Sequence, residues 1–424
     1  MKPKPIKLKN GMSVILVPQK GASSMTVLVL TKVGSRYESR EINGASHFVE
    51  HLMFKGTKRR PNTEVISREL DRYGAEYNAF TDKDVTGYYI KMDADKTTLA
   101  VDMLHDMLFH SKYDPKEIDR ERGVIIEEIN MYEDNPRMHV DDLLETAMFP
   151  DSTLGWNIAG PRETIRQVTR EQLTAYRDAY YIPDRMTVIV AGKIMPGLMA
   201  LLQKTFGSVK RPSGKDNGFE NFKIPKKLPE PLVYQEKSTE QVQLALGFHG
   251  LHMEDKMLPA AGLLATILGG SMSSRLFIQI RERRGLCYSI HASHQAREDV
   301  GAFTIMSGLD KKRFHEAFTA IMVELKKVCK TGVTAEELQR AKDHIRGRTT
   351  LAFEDSAAQA EWFGKDWLFR RRVESPEERM RRYDKVTRQE IKNVAKSIFR
   401  PEHMAAAVIG PFGDKRNLAK IVKW

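Results

Sequence analysis

Cysteine is nearly absent: the 424 residues hold two, Cys287 and Cys329, far apart and in no C-x-x-C pattern. That excludes a disulfide framework and a multi-cysteine metal site, and it leaves His, Asp and Glu as donors for any metal. Long apolar runs are missing as well. The stretch MTVLVLTKV is broken by Lys32, well short of the roughly 18 residues that a spanning helix needs. The opening MKPKPIKLKNGMSVILVPQ has no apolar core and no small-residue cleavage site. It reads as the start of the fold, with a strand at Ser13–Val17, and the expectation is a cytoplasmic protein with no membrane partner. No P-loop, G-x-G-x-x-G or G-x-S-x-G occurs, so nucleotide and serine-hydrolase chemistry have no foothold.

Negative charge is in deficit, with 68 Lys and Arg against 56 Asp and Glu and a net charge of +12. Nucleic-acid binding is one reading of that excess. Basic clusters such as Lys58–Arg60 and Arg281–Arg284 mostly adjoin acidic residues, however, and no nucleic-acid motif accompanies them. A scattered, solvated basic surface is the simpler account, and no nucleic-acid partner is expected.

What the chain does have is a repeat. VTREQLTAYRDAYYIPDRMTVIVAG (168–192) lines up with VTRQEIKNVAKSIFRPEHMAAAVIG (386–410), both opening on Val, Thr, Arg. Each copy predicts a Thr cap, a helix, a Pro turn and a strand. MTVLVLTKVGSR and VQLALGFHG pair in the same way, each preceding a helix candidate, and Val242, Leu244, Leu246 and Phe248 alternate as in a half-buried strand. RPSGKDNGFENFKIPKKLPEP (211–231), rich in Pro, Gly and Lys, falls between the copies as a linker. The expectation is an α+β chain of two homologous repeats, each a mainly antiparallel sheet packed with helices. The predicted divisions are 1–212, a linker at 213–231, and 232–424, with hinge motion about the linker.

Residues 47–51 read HFVEH, and a helix here sets His47 and His51 side by side with Glu50 next to them. Two imidazoles on one face can share a metal, and a neighbouring carboxylate can take a proton from water; H-x-x-E-H is the inverted zincin pattern. The five residues alone are also compatible with a half-buried helix whose histidines are incidental. A catalytic zinc needs a further protein ligand. PKEIDRERGVIIEEINMYEDN (115–135) predicts a helix with Ile118, Ile125, Ile129 and Tyr132 on its apolar stripe. Glu121 and Glu128 fall along that stripe, and Glu127 points about a quarter-turn aside. Carboxylates on a buried face need compensation, which a metal and its surroundings would supply. The corresponding segment of the second copy, Leu258–Leu268, has neither His nor Glu. His105 with His110, and His249 with His252, find no matched partner and read as structural.

HFVEHLMFKGT followed by ERGVIIEE resembles the M16 metallopeptidases, the family of pitrilysin and the mitochondrial processing peptidase. Here 76 residues separate His51 from Glu128, with Glu121 seven before it, as in that family. The resemblance implies a zinc endopeptidase acting on peptides or unfolded segments in an enclosed chamber. It implies His47, His51 and Glu128 as ligands of one Zn2+ per chain, Glu50 as general base, and Glu121 as the carboxylate that steadies the site. GAEYNAFTDKDVTGYY (74–89) resembles the strand beside the family's active site, with Asn78 and Ala79 where substrate backbone is held. GGSMSSRLFIQIRERRGLCYSI (269–290) is similar to the family's segment with an Arg and a Tyr seven apart, which implies substrate holding and oxyanion stabilisation by Arg281 and Tyr288. The glycine stretch LGGSMSSRL is short, unlike the long glycine-rich loop of the processing peptidase's non-catalytic subunit. The chain holds two repeats, half the length of insulin-degrading and pitrilysin-type chains. Members of this size pair, and both motifs occur here in one chain. A homodimer is therefore expected, ahead of a heterodimer with an M16-like partner. The alternative is a non-catalytic M16-like peptide-binding or assembly subunit that retains the motif.

Overall fold

Thr169 and Thr387 each accept from the backbone N–H three residues on, and Gln172 and Glu390 reach back to the two threonine N–H groups. These reciprocal caps start the helices Arg170–Tyr180 and Arg388–Ile398. Each helix ends before a Pro turn that leads into a fully buried strand, Met186–Gly192 and Ala405–Gly410. The repeat is thus real in three dimensions, and it extends to the whole sheet. The computed structural model describes residues 2–210 and 218–424.

The first sheet contains β1 (Ile6–Lys7), β2 (Ser13–Pro18), β3 (Ser24–Thr31), β4 (Glu76–Thr81), β5 (Thr86–Asp93) and β6 (Met186–Gly192), in the order β1-β2-β6-β3-β5-β4. The second contains β7 (Leu232–Glu236), β8 (Gln241–Gly250), β9 (Cys287–Ala296), β10 (Gly301–Asp310) and β11 (Ala405–Gly410), in the order β7-β11-β8-β10-β9. From β2 and from β7 onward the two orders are the same. The single parallel pair, β2–β6 or β7–β11, occupies the same place in each, and all other pairings are antiparallel.

The strands read as continuous apolar runs because both faces are covered. Met25, Val27 and Val29 of β3 enter one core, and Leu28 and Leu30 enter another on the opposite face. Each such buried side chain is worth about 1.5–3 kcal/mol. The second core is closed by the helix Ser356–Arg370, which lies beyond the central stretch in sequence. Gly364 makes this close approach workable, since a Cβ there would meet Ile189 Cδ1 and Leu30 Cδ1 at 2.8 Å.

The converse holds for β8. Val242, Leu244, Leu246 and Phe248 face one core as the alternation predicts, but Ala245 and Gly247 are buried too. The helix Pro136–Met148, from the first half of the sequence, covers that face. The small residues leave it room, so β8 is buried on both sides rather than half-buried.

The two compact units therefore do not follow the contiguous halves 1–212 and 232–424. One comprises Met1–Ile129, Trp156–Phe219 and Thr349–Ser375; the other comprises Asn130–Gly155, Glu220–Arg348 and Pro376–Trp424. Of the predicted linker, residues 211–217 lie outside the described residues, and most of 218–231 is exposed with apolar anchors at three points. Phe219 stacks under the Arg36 guanidinium at 3.6 Å, Phe222 packs on Phe149 and His249, and Leu228 is buried. Among the described residues no helix is long and apolar enough to cross a membrane.

Candidate metal centre

The helix Ala45–Leu52 carries His47, Glu50 and His51. It begins at Gly44, whose φ of +101° strains any side chain and whose Cβ would meet the Ala159 carbonyl at 2.5 Å. The buried Glu38 carboxylate accepts from the Gly44 N–H and the Ser46 N–H, both at 2.7 Å, and from Asn43 Nδ2 at 2.8 Å. An anion thus satisfies the first donors of the helix where its dipole is positive. Burial outweighs the lowering effect of these hydrogen bonds and leaves Glu38 raised to about 7. Phe48, Val49 and Leu52 anchor the inner face in the core. The two histidines emerge at its rim with side chains 12% and 20% exposed.

The helix Pro115–Asp134 buries Ile118, Glu121, Ile125 and Ile129, while Glu127 is exposed. It brings Glu128 Oε2 to 3.5 Å from both His47 Nε2 and His51 Nε2, which are themselves 3.2 Å apart. A metal holding such donors at about 2.0–2.1 Å in a tetrahedron spaces them about 3.3–3.4 Å apart. The observed triangle matches that spacing on all three edges. Among the described residues, this is the trio of His, Cys, Asp or Glu whose donor atoms gather closely enough to hold an ion.

The surroundings fit a cation too. Glu121 is only 1% exposed; its Oε2 lies 2.9 Å from His51 Nδ1 and its Oε1 2.6 Å from Lys55 Nζ. A carboxylate that accepts the Nδ1–H hydrogen bond fixes the ring so that Nε2 faces the centre, where its lone pair can serve a metal. Burial would lower the His51 imidazole, but Glu121 and Glu128 overcome it and hold His51 up to about 9. Burial raises Glu121, yet the hydrogen bonds from His51 and Lys55 win and keep it below the usual range. The hydrogen bond with His51 likewise lowers Glu128. Burial and the neighbouring His51 drive His47 down to about 4, and its buried Nδ1 has no hydrogen-bond partner among the described residues. The carboxylates thus favour positive charge at the triangle, and the donor set suits zinc.

Glu50 stands beside the trio without joining it. Burial raises its carboxyl, and the Thr81 hydroxyl, which donates to Oε2, opposes the rise. Thr81 comes from β4, at the edge of the first sheet. Ala79 lies on the core face of that strand, half-buried, and Asn78 is exposed on the other. Asn78 Oδ1 accepts from the Ala79 N–H at 2.9 Å. Arg281 and Tyr288 belong to the second unit and are brought together there. The Arg281 guanidinium, in the short π-helix Phe277–Glu282, lies 4.6 Å from the Phe277 ring centre and 5.2 Å from that of Tyr288. Tyr288, near the start of the edge strand β9, is 72% exposed and therefore not a core aromatic.

Sequence reasoning passed over three residues. Lys55 follows His51 by four, the helical spacing that could have revealed it. Thr81 follows Ala79 by two, on the same face of the strand. Glu38 had no local signal, because its role depends on the chain returning to the helix start.

The family model described as Insulinase (Peptidase family M16) matches residues 13–162, and that described as Peptidase M16 inactive domain matches residues 167–345. The chain is 36% identical to the uncharacterized zinc protease YmxG of Bacillus subtilis, over 96% of this chain and 98% of that one. It is 33% identical to an uncharacterized zinc protease of Streptomyces coelicolor, over 96% and 90% respectively. In fold it resembles the crystal structure of a protease from Helicobacter pylori, with a TM-score of 0.91, 23% identity, and coverage of 97% and 99%. The chain belongs to peptidase family M16.

Proposed function

We propose that this chain is a zinc-dependent endopeptidase that hydrolyses peptides or unfolded segments. The observation that carries the reading is the triangle of His47, His51 and Glu128 donor atoms with the Glu50 carboxylate beside it. One Zn2+ per chain, held by those three, would supply Lewis acidity toward water and the scissile carbonyl. Glu50 takes a proton from the attacking water and returns it to the leaving amine. Its raised carboxyl suits that exchange. Glu121, braced by Lys55, orients His51. The β4 edge around Asn78 and Ala79 holds the peptide as an added strand. Arg281 holds substrate, and the Tyr288 hydroxyl donates to the oxyanion; the exposure of Tyr288 supports that role. Two copies paired around a chamber, in the cytoplasm, complete the proposal.

Metal analysis with a quenched-peptide library, run with and without chelator, tests it. The expected result is about one zinc per chain and chelator-sensitive cleavage. Glu50→Gln should keep the metal and lose about 10²–10⁴-fold in rate, the usual contribution of a general base. Normal turnover by Glu50→Gln would sink the mechanism. Zinc without cleavage of any peptide would favour a non-catalytic subunit.

A further inference from the structure

The oxygen that Glu50 turns toward β4 is held by one side chain, Thr81, through a hydroxyl that donates to Oε2. The arrangement has the marks of a built support. Thr81 is β-branched on a regular strand, so its hydroxyl has few orientations to choose from. Its cross-strand neighbour Thr86, also a potential donor, spends its hydroxyl on the Val33 carbonyl at 3.0 Å. The strand end is pinned where the Asp82 N–H donates to the Val85 carbonyl at 2.8 Å. Glu50, by contrast, has a long flexible side chain near the Glu128 carboxylate, and among the described residues the hydrogen bond given to its carboxylate is the one from Thr81.

We infer that Thr81 is a positioning residue that holds one oxygen of Glu50 so that the other faces the reacting water. The inference rests on the peptidase reading and deepens it. Among the described residues β4 is a sheet edge paired only with β5, and it carries Ala79 two residues before Thr81 on the same face. A peptide added to that edge would share a strand with the support of the base. Substrate docking and base orientation are thereby carried by one rigid element.

Thr81→Val removes the hydroxyl and keeps the branched shape; Thr81→Ser keeps the hydroxyl. Thr81→Val should lower kcat about tenfold or more with KM within about twofold, at unchanged zinc content, and Thr81→Ser should restore most of the rate. In a Glu50→Gln background Thr81→Val should cost nothing further. Unchanged kcat in Thr81→Val overturns the inference, as does a rise confined to KM or equal slowness in Thr81→Ser. Crystal structures of wild type and Thr81→Val provide a reading that needs no turnover. A Glu50 carboxylate that rotates in Thr81→Val upholds the support, and one that stays in place overturns it. A wild-type protein that cleaves no peptide would defeat the peptidase reading instead, and the crystal structures would still decide what Thr81 does to Glu50.

Discussion

The two sheets share strand order, down to the position of their one parallel pair, yet their helices carry different chemistry. Laying Ala335–Ala352 on Pro115–Asp134, start on start, gives an offset of 220 residues. Ile118 then matches Leu338, and Ile125 matches Ile345, so these two stripe positions stay apolar, while Thr349 stands at the place of Ile129. Glu121 matches the buried Ala341, and Glu128 matches the exposed Arg348. Likewise the helix with His47 and His51 has its counterpart in Leu258–Gly269, where Leu263, Leu264, Ile267 and Leu268 are all core. The fold keeps these apolar positions and tolerates either content at the remaining ones. The difference teaches that the candidate metal site is a small graft on a scaffold that is built without it in the second unit.

Copying the second unit into the first is the sharpest way to break the contrast. Glu128→Arg should abolish zinc binding while leaving the helical circular dichroism intact, because residue 128 lies at the edge of the stripe. Full zinc content in that variant would remove Glu128 from the ligand set. Next in size is Tyr288→Phe, which keeps the ring exposed beside Arg281 and deletes only the hydroxyl. It should slow kcat by up to about 10²–10³-fold, the cost of one oxyanion donor, with zinc retained. An unchanged rate would leave Tyr288 without a catalytic part.

The smallest effect concerns the other histidines. In the second unit, burial holds His249 and His294 down to about 4, and His249 Nε2 donates to the Met148 carbonyl at 2.7 Å. Between about 6.5 and 4 an unfolded chain takes up protons that these folded histidines refuse. Stability should therefore be full above about 6.5 and fall as the pH drops toward 4, by about 1.4 kcal/mol per pH unit for each histidine. Urea unfolding at pH 7 and pH 5 checks the slope, and His249→Gln should make it shallower. A slope that His249→Gln leaves unchanged would show that His249 is as readily protonated folded as unfolded. Burial thus dominates at His249 and His294, whereas His47 and His51 stand against carboxylates.

Much of the architecture was legible from the chain alone, and the reasons are local. Thr169 and Thr387 announce their helices by capping chemistry that spans three residues. The alternation of Val242 to Phe248 is a property of one strand. What escaped was long-range. Ala245 and Gly247 look unremarkable until the helix Pro136–Met148 is laid over them, and Phe219 and Phe222 look like linker residues until their partners are known.

The same division runs through the candidate site. The sequence by itself determined that His47 and His51 share a helical face with Glu50 beside them, because a 3.6-residue turn dictates it. It also determined that Glu121 and Glu128 lie seven apart on an apolar stripe. Only the tertiary structure decided that Glu128 closes a 3.2–3.5 Å triangle with the two histidines. Lys55 bracing Glu121, Thr81 holding Glu50 and Glu38 capping the helix start were decided there too. Periodicity fixes which way a side chain faces on its own element. Which element comes to meet it depends on contacts between residues tens to hundreds of positions apart, and no local pattern records those.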